Sequence, residues 1–209
     1  MFRRGCIDVI VSCMRGGKSE LALHWINQES YGKGRKYLIF QPDIADREVC
    51  LTNGEKIETK GRAVSRCGTI SHENAIIFPK NDPWKILEFI TPDITTVLIE
   101  EGHFCHTDLV KVCKILAEKH LIRVIVTGLD QTFLEEPFGP MPHLLCEADH
   151  VRKLSAVCMH CGEAPATKSW LHPTYREKVL SGSIHVGDED YLSVCRHCFR
   201  ELEANPPKP

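Results

Sequence analysis

The sequence has no run of about eighteen apolar residues, so no segment is expected to cross a membrane as a helix. It has no block of about five like-charged Lys or Arg either, and Arg3-Arg4 is too short to serve as a polybasic arm. Its formal net charge is −2. A protein whose main task is gripping nucleic-acid phosphates would carry a basic stripe, so neither nucleic acid nor membrane is expected as a partner. No internal repeat is visible, which sets solenoid architectures aside. The opening Met1-Phe2-Arg3-Arg4-Gly5-Cys6-Ile7-Asp8 places an acid where a secretion signal needs an unbroken apolar core. The expected location is therefore the cytoplasm.

Cysteine, by contrast, is plentiful: eleven residues, an odd number, in a chain of 209. That count and the missing signal argue against a disulfide scaffold. Clustered cysteines in a reducing compartment point to metal; scattered ones read as small buried hydrophobes. Hydrophobic residues at 43% and charged residues at 26% are ordinary for a globular protein. The length allows one large domain, or one domain with a small appendage.

Residues 7–11 (Ile-Asp-Val-Ile-Val) read as a buried strand, 20–29 as a helix stopped by Gly32 and Gly34, and 37–40 as a second strand. Strand, helix, strand at this spacing is a βαβ unit and implies a parallel sheet. Further strands are expected at 97–99 and 123–126. Helices are expected at 84–90, 107–119 and 143–150, with loop over 131–143. Residues 43–83 read as a strand or two plus loops. The expected organisation is an α/β nucleotide-binding domain over 1–150, a small metal-binding domain over 151–200, and a disordered tail over 201–209.

Two sites carry chemistry. Ser12-Cys13-Met14-Arg15-Gly16-Gly17-Lys18-Ser19 stands between a strand and a helix, as a phosphate loop must. There, successive N–H groups at the positive end of a helix wrap a phosphate. Lys18 is expected to reach the β/γ-phosphates, and Ser19 to ligate Mg²⁺. At the end of the third strand, Glu100-Glu101 supply one carboxylate for the metal and one to accept a proton. The second site is the pair of knuckles Cys158-x₂-Cys161 and Cys195-x₂-Cys198, separated by 33 residues. Four thiolates from two such turns make a closed tetrahedral shell suited to structural Zn²⁺. His160 and His197, inside the knuckles, read as spectators.

With these sites in place, nearly the whole chain, from about Gly5 to Phe199, resembles the type II thymidine kinases. That family's loop reads like G-P-M-F-S-G-K-S, matched here by Met14, Gly17, Lys18 and Ser19, with Ser12 in place of the opening glycine. Its D-E-x-Q-F segment corresponds to Glu100-Glu101-Gly102-His103-Phe104. The most specific stretch is Leu129-Asp130-Gln131-Thr132-Phe133, running on to Pro137-Phe138-Gly139.

The resemblance implies a P-loop NTPase-type parallel sheet flanked by helices, with a small C-terminal zinc-binding domain and a lasso loop over 168–190. It implies an ATP:thymidine 5′-phosphotransferase with ATP, Mg²⁺ and structural Zn²⁺ as cofactors, feedback inhibition by dTTP and a homotetrameric assembly. Glu101 would be the general base. Ser12, Met14, Gly16, Gly17, Lys18, Ser19, Glu100 and Arg47 would serve the nucleotide and its metal. Met14, Phe104, Leu129, Phe133 and Tyr191 would line the thymine pocket. Glu100 for Asp, His103 for Gln, Arg15 for an apolar residue and His185-Val186-Gly187 for I-G-G mark a divergent member. The alternatives are a kinase for another deoxynucleoside such as deoxyuridine, a nucleic-acid-binding ATPase, and an inactive nucleotide-sensing relative.

Overall fold

The computed structural model describes residues 5–45, 48–50, 56–58, 62–64, 71–73, 75–163, 165–181 and 190–207. Arg47 and residues 182–189 of the expected lasso, with its His185-Val186-Gly187, lie outside them.

The chain opens with β1 (Cys6–Val11), α1 (Lys18–Ser30) and β2 (Tyr37–Pro42). The expected βαβ unit is present. Two short antiparallel pairs follow: β3 (Glu48–Cys50) with β4 (Lys56–Glu58), and β5 (Arg62–Val64) with β6 (Ser71–Glu73). Next come β7 (Ile76–Phe78), a 3-10 helix over Pro83–Phe89, β8 (Thr96–Ile99), α2 (Leu109–Glu118) and β9 (Arg123–Gly128). Then α3 (Met141–Glu147) leads to β10 (His150–Lys153). The C-terminal part holds β11 (Lys168–Leu171), α4 (Pro173–Leu180), β12 (Tyr191–Val194) and α5 (Arg196–Ala204).

Six strands form one parallel sheet in the order β10-β1-β9-β8-β2-β7. The central strands are apolar without alternation because both faces are covered, as parallel sheets require. On one face Val9, Val11, Val97, Ile99, Val124 and Val126 pack against α2, α3 and the 3-10 helix. On the other, Ile10, Ile39, Leu98 and Ile125 meet Ala22, Leu23 and Ile26 of α1. Those three helix residues fall on one stripe at helical spacing. The phosphate loop follows the carboxyl end of β1 and Glu100-Glu101 that of β8, the two strands on either side of β9, at the edge of the sheet where open α/β folds place their ligands.

Several elements depart from the sequence reading. The helix expected over 143–150 begins at Met141, with Pro140 as its cap and Pro142 in the first turn, where a missing N–H costs nothing. It stops at Glu147 because residues 150–153 pair with β1. The expected helix at 84–90 is of the 3-10 type. The tail expected from 201 starts later: residues 201–204 close α5, and Leu202 is buried against Phe199 and Trp170 in the C-terminal cluster. No described helix is long and apolar enough to cross a membrane.

Candidate active site and metal centre

Gly17 caps α1 with φ 80°, a left-handed conformation that favours glycine, and nothing stands within 4 Å of where a Cβ would be. Gly17 has no side chain to cap the helix, which leaves the helix start suited to an anion. The Lys18 ammonium donates to the carbonyl of Cys13 at 3.1 Å and lies 3.4 Å from Ser12 Oγ. Ser12 Oγ in turn donates to the Cys13 carbonyl at 2.6 Å.

The substituted opening glycine is accommodated by a second change. A Cβ on Gly16 would stand 2.2 Å from Ser12 Oγ and 2.7 Å from Ser12 Cβ. The two positions share one volume, and this chain fills it from residue 12.

Ser19 connects the loop to the acidic strand end. Its Oγ donates to Glu100 Oε2 at 2.9 Å, and Thr127 Oγ1, from the end of β9, donates to the same oxygen at 2.8 Å. Glu100 is 4% exposed, and its other oxygen, Oε1, is buried with no hydrogen-bond partner among the described residues. Burial, with the charge of Glu101 beside it, pushes the Glu100 carboxyl up to about 7. A buried carboxylate with one oxygen fixed and one unclaimed, beside a phosphate loop, fits a hard divalent cation. The longer Glu therefore keeps its place where the family motif has Asp.

Glu101 turns away from the strand with φ 50°. Its N–H donates to Thr127 Oγ1 at 3.3 Å, and its Oε2 lies 3.6 Å from His103 Nδ1. That imidazole nitrogen also accepts the N–H of Leu129 at 3.2 Å. The ring is 2% exposed and lies against Phe104 and Phe138, with centroids 4.1 and 4.5 Å away. His103 thus joins the acidic strand end to the Leu129 loop.

The residues expected around a base fall into two groups. Phe104 and Leu129 are joined through His103. Phe133 and Tyr191 meet ring to ring at 6.5 Å, and the buried Met14 belongs to this second group through contacts with the β11–β12 hairpin. Burial, with Asp190 adjacent, pushes the Tyr191 phenol up to about 12, so it is a neutral hydroxyl. Two lysine pairs brace the connecting loop: Lys153 with Asp130 at 2.6 Å, and the buried Lys168 with Glu135 at 2.9 Å.

The sulfurs of Cys158, Cys161, Cys195 and Cys198 all lie within 4.8 Å of one another. Cys198 N–H donates to Cys195 Sγ at 3.4 Å and Cys195 N–H to Cys158 Sγ at 3.3 Å. Burial alone would raise the Cys158 thiol. Backbone N–H groups of Cys161, Cys195 and His160 instead bring it down to about 6, whereas burial pushes Cys198 up. Four sulfurs at this separation, with N–H donors aimed at them, fit a tetrahedral Zn²⁺ shell.

Sequence reasoning did not single out Thr127, nor Ser169 and Ser193, whose hydroxyls bond the backbone of Met14. Thr127 carried a signal, being a hydroxyl at the end of a buried strand beside the acidic one.

The thymidine kinase family model matches residues 5–199. The chain belongs to the thymidine kinase family. It is 36% identical to a thymidine kinase of Metamycoplasma arthritidis over 94% of this chain and 91% of that protein. A thymidine kinase of Porphyromonas gingivalis is 31% identical over 98% and 89%, and one of Haloquadratum walsbyi 30% identical over 93% and 94%.

Proposed function

We propose that the protein transfers the γ-phosphoryl group of ATP to the 5′-hydroxyl of thymidine, giving dTMP and ADP. The supporting observation is the joining of Ser19, Thr127 and Glu100 into one hydrogen-bonded unit, with Glu101 as the next residue. That unit supports reading Glu100 as the cation-binding carboxylate, residues 12–19 as the phosphate loop and Glu101 as the proton acceptor of one site.

In this reading Ser12, Met14, Gly16, Gly17, Lys18 and Ser19 form the nucleotide cradle, and Lys18 neutralises charge on the β/γ-phosphates. Ser19 and Glu100 would hold Mg²⁺, which would supply charge neutralisation on the phosphates. Glu101 accepts the proton of the 5′-hydroxyl as the new O–P bond forms and the bond to the ADP oxygen breaks. Positioning supplies most of the acceleration, since the transferred group needs little covalent help. Arg47 is assigned to the phosphates on the family motif alone. Met14, Phe104, Leu129, Phe133 and Tyr191 form the base pocket, closed by the 168–190 lasso. The four cysteines would hold Zn²⁺, which would fix the base of that lasso. A homotetramer inhibited by dTTP, working in the cytoplasm, completes the proposal.

The test is dTMP formation from thymidine, ATP and Mg²⁺ by the intact chain and by Glu101→Gln. Turnover lost in the variant with ADP affinity retained is the expected result. A folded, zinc-loaded wild type that makes no dTMP refutes the reading. Competition with deoxyuridine distinguishes the two nucleosides.

A further inference from the structure

The phosphate loop is held by more than the strand before it and the helix after it. Met14 N–H donates to Ser169 Oγ at 3.1 Å, and Ser193 Oγ donates to the Met14 carbonyl at 2.6 Å. Ser169 and Ser193 are direct cross-strand partners in the β11–β12 hairpin, so their hydroxyls share a face and bracket one loop residue. Ser193 is fully buried and Ser169 is 6% exposed. The loop residues on either side make the same journey. Cys13 Sγ lies 3.2 Å from the carbonyl of Ala166, and Arg15, held at φ 58°, donates from Nη1 to the carbonyl of Tyr191 at 2.6 Å. Three consecutive loop residues thus rest on the module that carries the cysteines. That module is anchored in turn by Met159 N–H donating to the Ser193 carbonyl at 2.8 Å, one residue from Cys158.

A buried hydroxyl in a cluster of Cys158, Trp170, Val194 and Phe199 is costly unless it is bonded. Both of these hydroxyls bond Met14. With its N–H and its carbonyl both pinned, the peptide planes on either side of Met14 cannot turn. The direction of the N–H groups that follow is set with them.

We propose that Ser169 and Ser193 are positioning residues for the nucleotide phosphates, making the β11–β12 hairpin the third support of the phosphate loop. The proposal rests on the reading of residues 12–19 as that loop. An anion site built from converging N–H groups loses affinity when their planes rotate, even if the protein stays folded.

The experiment measures Mg²⁺–ADP affinity by titration calorimetry on the intact chain, together with the rise in melting temperature that ADP produces. Wild type is compared with Ser169→Ala, Ser193→Ala and the hydroxyl-preserving Ser193→Thr. Each alanine variant is expected to weaken ADP binding by about five- to tenfold, one hydrogen bond's worth, and to shrink the ADP-induced rise. Ser193→Thr is expected to retain affinity. If Ser193→Ala does not fold, Ser169→Ala carries the test alone. Alanine variants that melt earlier yet bind ADP as wild type does would show a merely structural role and overturn the proposal. A wild type that binds no ADP overturns the phosphate-loop reading beneath it.

Discussion

The Ser12–Gly16 pair invites a mutant cycle whose outcome follows from space alone. Gly16→Ser restores the serine of the family's motif but leaves Ser12 in place. The new Cβ would stand 2.2 Å from Ser12 Oγ and 2.7 Å from Ser12 Cβ. Rotating the Ser12 hydroxyl relieves the first clash and gives up its 2.6 Å bond to the Cys13 carbonyl. No rotation relieves the second, because Cβ is fixed by the backbone. The loop must therefore widen, and overpacking of this kind costs about 1–3 kcal/mol. Taking about 2 kcal/mol, Mg²⁺–ADP affinity should fall roughly thirtyfold. Ser12→Gly alone opens space without a clash and should cost at most about threefold, through added loop freedom. The double variant, Ser12→Gly with Gly16→Ser, should recover affinity to within about threefold of wild type, giving a coupling of about 2 kcal/mol. Calorimetric titration of the four proteins with Mg²⁺–ADP reads the cycle. Additive losses, or a Gly16→Ser variant that binds as well as wild type, would refute the shared-volume argument.

Other expected outcomes are simpler. Glu100→Gln keeps the shape and the hydrogen bonds from Ser19 and Thr127 but removes the charge, so the gain in ADP affinity on adding Mg²⁺ should fall by about tenfold or more; titrations with and without Mg²⁺ check it. Removing metal with a chelator, or substituting Cys161→Ser, should lower the melting temperature and also weaken ADP binding, because the hairpin packed against the cysteine cluster supports Met14; zinc analysis with the same calorimetry checks both. Arg176 holds the Glu203 carboxyl below the usual carboxylate range by a direct hydrogen bond. The sign follows: a depressed folded pKa gives stability that is present above the unfolded pKa and lost as pH falls through the folded one. Glu203→Gln should thus destabilise by up to about 1 kcal/mol at neutral pH, discounted for partial exposure, with the gap to wild type closing under acid conditions; unfolding midpoints across pH measure it.

The elements legible in the sequence are those whose signal is local. Apolar β-branched runs at 7–11, 97–99 and 123–126 announced buried parallel strands, because two covered faces leave no alternation to obscure. Gly-Lys-Ser and the two knuckles were readable because their chemistry demands fixed short spacings. Strand β10 had no such signal: all four of its residues, His-Val-Arg-Lys, are exposed at the sheet edge, so neither period nor composition marks them. The motif counts positions singly, so Ser12 at the place of the opening glycine reads there only as a mismatch. The compensation at Gly16 becomes visible only when the two side chains are seen to compete for one volume. The serine pair lies furthest from sequence reasoning. Ser169 and Ser193 stand 155 and 179 residues from the Met14 they hold. Serine is ordinary on a short strand, and nothing in its neighbours distinguishes a surface hydroxyl from one that fixes a phosphate loop. What distinguishes them is burial, and burial here is a property of how the cysteine module closes on the sheet. The residues that define the chemistry are therefore readable one by one, whereas those that aim it are set by contacts between parts of the chain that only folding brings together.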